Sequence, residues 1–325
     1  MKVFGEVPGS FSRADHWRAR FLRAHPIGPR IMDWLTVSKV VLAFALLLMA
    51  SRADWRTREV SDVYWLFLGV AGMAFLAVQM YLDAADLSYY LILLPIAVVF
   101  LDIFWERKGM FEDGVNLVPL LLYVATFASL AWLVIEHYTE LYLWNLMIIP
   151  VMFAIFIILY QFDIIKGGAD AKALIALAIM FPVYPFIGSF PLIAPPTELS
   201  EFILPFPLLI LFNAALVSLA VPIALLILNI ARRDVNIPAM LFGYRMSLDR
   251  AEKSFVWPME RMVDGERRME YFPRSSEEAG AQFQALRAAG VNEIWVTPKV
   301  PFLIPITISI PFSVIIGNLL FLIIG

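Results

Sequence analysis

The stretch Val63-Tyr64-Trp65-Leu66-Phe67-Leu68-Gly69-Val70-Ala71-Gly72-Met73-Ala74-Phe75-Leu76-Ala77-Val78-Gln79-Met80-Tyr81-Leu82 runs without one charged side chain. A hydrocarbon core of about 30 Å takes about 20 residues of helix to cross, so this segment is a membrane span. The same criterion applied outward gives seven more: Ile31–Ala50, Leu87–Phe104, Val115–Ile135, Leu141–Phe162, Ala171–Ile193, Phe202–Ile230 and Val300–Ile324. The first is interrupted by Asp33 and Lys39. Apolar residues make up 61% of the chain and charged ones 16%, with a mean hydropathy of +0.78, far from a soluble domain. The expected fold class is an α-helical polytopic membrane protein of about eight transmembrane helices.

The cations order these spans. Arg52, Arg56 and Arg58 lie between spans one and two, Arg107 and Lys108 between three and four, Lys166 and Lys172 between five and six, and eleven more in the segment Ala231–Lys299. The alternate connections around Asp83–Asp86, Glu136–Glu140 and Gly188–Glu201 contain no Lys or Arg. Lys and Arg favour the cytoplasmic side, so this alternation predicts eight crossings of a cell membrane with the basic loops inside. The tail, with Lys2, Arg13, Arg18, Arg20, Arg23 and Arg30, is then expected outside, against the same rule.

Four regions follow: a basic tail over 1–30, a transmembrane core over 31–230, a small cytoplasmic α+β domain over 231–299 and a last transmembrane helix over 300–325. In the third, Lys253–Val263 and Arg267–Phe272 alternate in polarity around the hairpin turn Asp264-Gly265. Ser275 and Glu278 form a capping box for a helix with Ala279, Phe283 and Leu286 on one face, ended by Gly290, and Glu293–Thr297 reads as a strand. The expected order is ββαβ, inserted before the last helix.

The chain has no cysteine, which excludes thiol nucleophiles and cysteine metal sites. Its three histidines, His16, His25 and His137, stand at no metal-ligand spacing and near neither segment singled out below, so metal and Ser-His mechanisms are disfavoured and no metal or cofactor is expected. A net charge of −3 gives no reason to expect a nucleic-acid partner. The chemistry concentrates in Ala53-Asp54-Trp55-Arg56-Thr57-Arg58-Glu59 and Lys166-Gly167-Gly168-Ala169-Asp170-Ala171-Lys172, each with an aspartate at the end of an apolar run. Four crossings separate them, an even number, so both face the cytoplasm. Two carboxylates about 3 Å apart cannot both ionise cheaply; one keeps its proton, and the pair activates a water. Gly167 and Gly168 would let a substrate backbone approach. Asp62, Asp102 and Asp163 compete on the same face: Asp62 as a helix cap, Asp102 as a supporting acid, Asp163 as an interfacial charge.

The Asp-x-Arg-x-Arg segment at Asp54 resembles the first catalytic region of archaeal preflagellin and prepilin peptidases. Gly167-Gly168-Ala169-Asp170, followed by Phe181-Pro182, resembles their Gly-x-hydrophobic-Asp motif, and Trp295–Phe302 resembles the re-entry into the last span of longer members. The resemblance implies an aspartic endopeptidase with Asp54 and Asp170 as its dyad, Gly167, Gly168 and Ala169 shaping the active loop, and Arg56, Arg58 and Lys172 beside the substrate. It implies removal of the short basic leader of type IV pilin-like or archaellin precursors at the cytoplasmic face. The compact members have two crossings between their aspartates, where four are read here. Two alternatives are a presenilin or signal-peptide-peptidase type of intramembrane protease, and an ion-coupled transporter.

Overall fold

The computed structural model describes residues 29–107, 111, 114–195, 197–263, 265–271 and 276–319. The basic tail over 1–28, Lys108, Asp264, Ser275 and the end of the last expected span lie outside the described residues. In chain order the elements are α1 (Pro29–Thr57), α2 (Val63–Leu82), a 3-10 turn (Leu87–Ile92) leading into α3 (Leu93–Asp102), α4 (Leu117–His137), α5 (Leu141–Gln161), α6 (Gly168–Met180), α7 (Glu198–Ile203), α8 (Phe206–Ser218) and α9 (Ala220–Arg232). Then come α10 (Ala239–Phe242), β1 (Tyr244–Ser247), α11 (Leu248–Ala251), β2 (Val256–Pro258), β3 (Glu260–Val263), β4 (Glu266–Met269), α12 (Ser276–Ala288), β5 (Glu293–Pro298) and α13 (Leu303–Ile315). Two compact units result, one holding the chain up to Ala214 and from Phe302 onward, the other Ala215–Pro301.

Among the described residues five helical stretches are long and apolar enough to cross a membrane: Trp34–Thr57, Val63–Leu82, Leu117–His137, Leu141–Gln161 and Phe206–Arg232. The protein is thus a mostly helical membrane protein with a small sheet domain towards its C-terminus. The other three apolar runs also form helix, but less of it than the sequence reading anticipates. The run Ala171–Ile193 is helical only to Met180, because Pro182 offers no N–H and pushes Phe181 out of the helical region, to φ −131°. Within its described residues the run from Val300 is helical only to Ile315. Gly317 then turns at φ +92°, and a side chain there would meet the Ile193 carbonyl. The Leu192 and Ile193 N–H groups donate to the carbonyls of Ile315 and Ile316 at 2.9 Å, joining the two frayed ends. At 13 residues each, α6 and α13 span about 20 Å.

The first helix differs in the other direction. The expected Ile31–Ala50 continues to Thr57, since Ser51 to Thr57 contains no Gly or Pro, and it ends where Arg58 adopts φ +61° and donates its N–H to the Asp54 carbonyl at 3.0 Å. Asp54 therefore stands on the last turn of α1.

Helix α6 is the axis of the first unit. From Asp170 to Met180 every residue except Lys172 is buried, and α1, α2, α3, α5 and α13 all pack against it. Gly69 and Gly72 of the opening stretch make this possible. A Cβ on Gly72 would stand 3.1 Å from both Ile179 Cγ2 and the Met180 nitrogen, and one on Gly69 would collide with the Phe100 ring. Between helices in lipid the cohesion comes from such close packing and from buried hydrogen bonds. The Ser51 and Thr307 hydroxyls meet at 2.7 Å to join α1 to α13, and Asn213 Nδ2 donates to Ser313 Oγ at 2.8 Å to join α8 to α13.

In the second unit β1, β5 and β2 form an antiparallel sheet in the order β1-β5-β2, and β3 and β4 form a separate hairpin. The ββαβ expectation needs correction on two counts. The strand β1 precedes it, and the run Lys253–Val263 divides at Met259, whose N–H donates to the Trp295 carbonyl while its own carbonyl accepts from Glu270. Pro258, with no N–H, ends the first piece. Ala279, Phe283 and Leu286 of α12 are buried against Val256, Ile294 and Val296.

Candidate active site

Asp170 is the third residue of α6, counted from the N-cap Gly167. The helix dipole at that place favours a carboxylate, whereas burial penalises it. Burial prevails: Asp170 is only 9% exposed and accepts no hydrogen bond from a described residue. It precedes the apolar run that begins at Ala171, and it is raised from the ordinary 3.8 to about 7, first by desolvation and then by the Asp54 charge. Asp54 belongs to α1, which packs on α6, and is half-buried. Its carboxylate likewise accepts no hydrogen bond from a described residue. The neighbouring Arg58 feels it: burial lowers the Arg58 guanidinium and Asp54 draws it back up.

The two glycines of the second segment differ. Neither has positive φ. A side chain on Gly167 would collide with the Asp170 carboxylate, Cβ falling 2.9 Å from its Cγ, so the aspartate folds back over a position that only glycine leaves open. At Gly168 an added Cβ would meet only the Tyr160 hydroxyl, at 3.5 Å, an ordinary contact. Tyr160, which the motif reading does not single out, thus borders the loop. Ala169 packs against the edge of the core.

The remaining residues of the expected site have other contacts. Lys172 donates to Asp62 Oδ1 at 2.6 Å and lies 4.9 Å from the Phe104 ring centroid, which bolts α6 to the start of α2. Asp62 caps α2 with its backbone carbonyl, while its side chain holds Lys172 and makes no capping bond. Asp102 is fully engaged: Arg107 Nε donates to Oδ1 at 2.9 Å and the Tyr123 hydroxyl to Oδ2 at 2.7 Å, a clasp between the end of α3 and α4. Asp163 is exposed at φ +56°, on the turn that ends α5. Arg58 lies 5.7 Å from the Trp55 ring centroid, and Arg56 is exposed.

A second polar cluster escapes sequence reading because its members come from separate connections. Ser88 Oγ meets His137 Nε2 at 2.8 Å, His137 Nδ1 meets Glu140 Oε1 at 2.7 Å, and the Tyr89 hydroxyl donates to Glu140 Oε2 at 2.6 Å. The order hydroxyl, imidazole, carboxylate is that of a nucleophilic triad. However, the Ser88 N–H is spent on Asp86 Oδ1 at 2.8 Å and the Tyr89 N–H on the Asp86 carbonyl at 3.0 Å, so neither can serve an oxyanion. The cluster ties the connection after α2 to the end of α4. The only signal for it is the Asp86-Leu87-Ser88 turn itself.

The family model described as Archaeal Peptidase A24 C-terminus Type II matches residues 235–319. A preflagellin peptidase of Methanococcus maripaludis is 25% identical over 284 residues, which cover 84% of this chain and 92% of the relative. One of Methanocaldococcus jannaschii is 28% identical over 167 residues, covering 49% of this chain and 66% of the relative. One of Methanococcus voltae is 24% identical over 159 residues, covering 47% and 64%.

Proposed function

We propose, on the premise that this chain is similar along most of its length to archaeal preflagellin peptidases, as its two motifs implied, that it is an aspartic endopeptidase. Its substrate is a preflagellin or a related pilin-like precursor, and its product the chain freed of a short basic leader. The observation that carries this reading is the contrast among the acids: Asp62 and Asp102 are bonded to neighbours, whereas Asp54 and Asp170 sit on packed helices, Asp170 feels the charge of Asp54, and neither accepts a hydrogen bond from a described residue.

In the mechanism this supports, Asp170 holds the proton and Asp54 is the carboxylate. Asp54 takes a proton from water as the oxygen attacks the peptide carbonyl, and Asp170 donates to the carbonyl oxygen. Collapse of the tetrahedral intermediate returns a proton to the departing amine and the dyad to its starting state. Asp54 lies on the last turn of α1 and Asp170 on the first turn of α6, a placement that favours cutting at the membrane surface over cutting within the bilayer. With α3, α6 and α13 counted as crossings, the eight-span arrangement keeps both aspartates on the cytoplasmic side, where a basic leader ahead of an apolar stem would present its scissile bond.

The test is proteolysis by the purified full chain in liposomes, with a precursor carrying a basic leader and products read by mass spectrometry. A single cut at the leader boundary, absent in Asp54→Asn and in Asp170→Asn, is expected. Cleavage that persists in both variants overturns the assignment.

A further inference from the structure

The second unit contains an open cleft of about 290 Å³, lined among others by Asn236, Arg245, Glu260, Arg267, Arg268 and Trp295. Three arginines and one glutamate contribute to its lining. That carboxylate is already committed. Glu260 is 3% exposed, pairs with Arg267 and accepts the Trp295 N–H at 2.9 Å. Arg267 in turn donates Nη2 to the Glu293 carbonyl at 2.8 Å, so it is a fixed part of the wall.

The other two arginines are held far less. The carboxylate paired with Arg245 is Asp234, at 3.9 Å, too far for a hydrogen bond, and its guanidinium makes none among the described residues. Arg268 reaches Glu266 only at 3.4 Å. Two arginines of the lining thus keep guanidinium donors to spare, and planar forks match the oxygens of a phosphate group.

The chain around the cleft indicates where that phosphate comes from. Asn236 stands four residues beyond Arg232, the last residue of the span Phe206–Arg232, and between them lies the basic Arg233. Its neighbours Val235 and Ile237 are 68% and 78% exposed, apolar side chains on the segment that leaves the span. Such side chains are poorly placed in water and well placed at a lipid interface, where anionic headgroups also attract nearby Arg. We propose that this cleft binds the phosphate of a phospholipid headgroup, with Arg245 and Arg268 gripping it and the Glu260–Arg267 pair holding the wall.

The experiment uses the full chain in a neutral detergent and native mass spectrometry with a short-chain phosphatidylglycerol, matched against a diacylglycerol of equal chain length. Wild type and Arg250→Gln, an exposed change on the same unit, retain the phospholipid and not the diacylglycerol. Arg245→Gln and Arg268→Gln each weaken retention roughly fivefold and the double variant more. Arg245→Lys, which keeps the charge and loses the fork, falls between. Displacement of the lipid by inorganic phosphate supports recognition of the phosphate itself. Binding of inorganic phosphate alone, with phospholipid and diacylglycerol held equally, overturns the lipid source. Undiminished retention in the double variant overturns the site.

Discussion

At the cluster of Ser88, Tyr89, His137 and Glu140, both oxygens of Glu140 have a partner, and the hydrogen bonds from Tyr89 and then His137 hold its carboxyl below the usual range. At the ends of α1 and α6, neither Asp54 nor Asp170 accepts a hydrogen bond from a described residue, and Asp170 is pushed well above that range by burial. Buried polar groups are ordinarily satisfied, and a satisfied network rigidifies. A carboxylate left without a donor in a desolvated place retains affinity for a proton and for water, which chemistry requires. Acidic side chains therefore stand in opposite states in the two places, according to whether neighbours complete their bonds.

The largest expected effect is on Asp54 and Asp170. In the proposed mechanism Asp54→Asn and Asp170→Asn each remove a group that takes or gives a proton, and precursor cleavage is expected to fall by about 10²–10⁴-fold. Gly167→Ala is expected to cost about 100-fold by displacing the Asp170 carboxylate, while Gly168→Ala, with only the Tyr160 hydroxyl nearby, stays close to wild type. Steady-state cleavage by the pair of variants decides whether the glycines act through Asp170.

A pH profile sharpens the contrast further. The folded-state value of Asp170 lies above its ordinary 3.8, so its protonated form persists below about 7 and is lost as pH rises through 7. kcat/KM is expected to decline about tenfold per pH unit above that point. Folding stability shares the sign: between the two values the folded chain holds a proton that the unfolded chain has released, so stability drops as pH rises across that window. A profile flat to pH 9 would break the assignment of the proton to Asp170.

Changes at the satisfied cluster act elsewhere. Glu140→Gln is expected to lower the midpoint of thermal unfolding and to leave the cleavage rate unchanged. The smallest expected effect is that of Thr307→Val, which removes the hydroxyl shared with Ser51 one turn from Asp54; such a bond between membrane helices is worth about 0.6 kcal/mol, measurable by unfolding in mixed micelles.

Much of this was legible from residue order. The span Val63–Leu82 forms with the boundaries its apolar run predicts, because a helix in lipid satisfies its own backbone and needs only side chains that tolerate the solvent. The two aspartate segments were equally visible, since glycines and arginines flank them within a few positions. The lengths of the helices after Ala171 and Val300 were not, although Pro182 and Gly317 mark their ends, because hydropathy runs on past both residues. The roles of Lys172, Asp62 and Asp102 were also out of reach, since each depends on a partner brought in from another part of the chain.

By itself, then, the sequence determined the solvent of this protein, the positions of its apolar runs and which acids stand beside glycine or arginine, all of them properties of neighbouring residues. Only the tertiary structure decided which acids are bonded and which are not. That distinction arises when α6 is buried among five helices and Asp170 is desolvated close to the charge of Asp54, more than a hundred residues away in the chain.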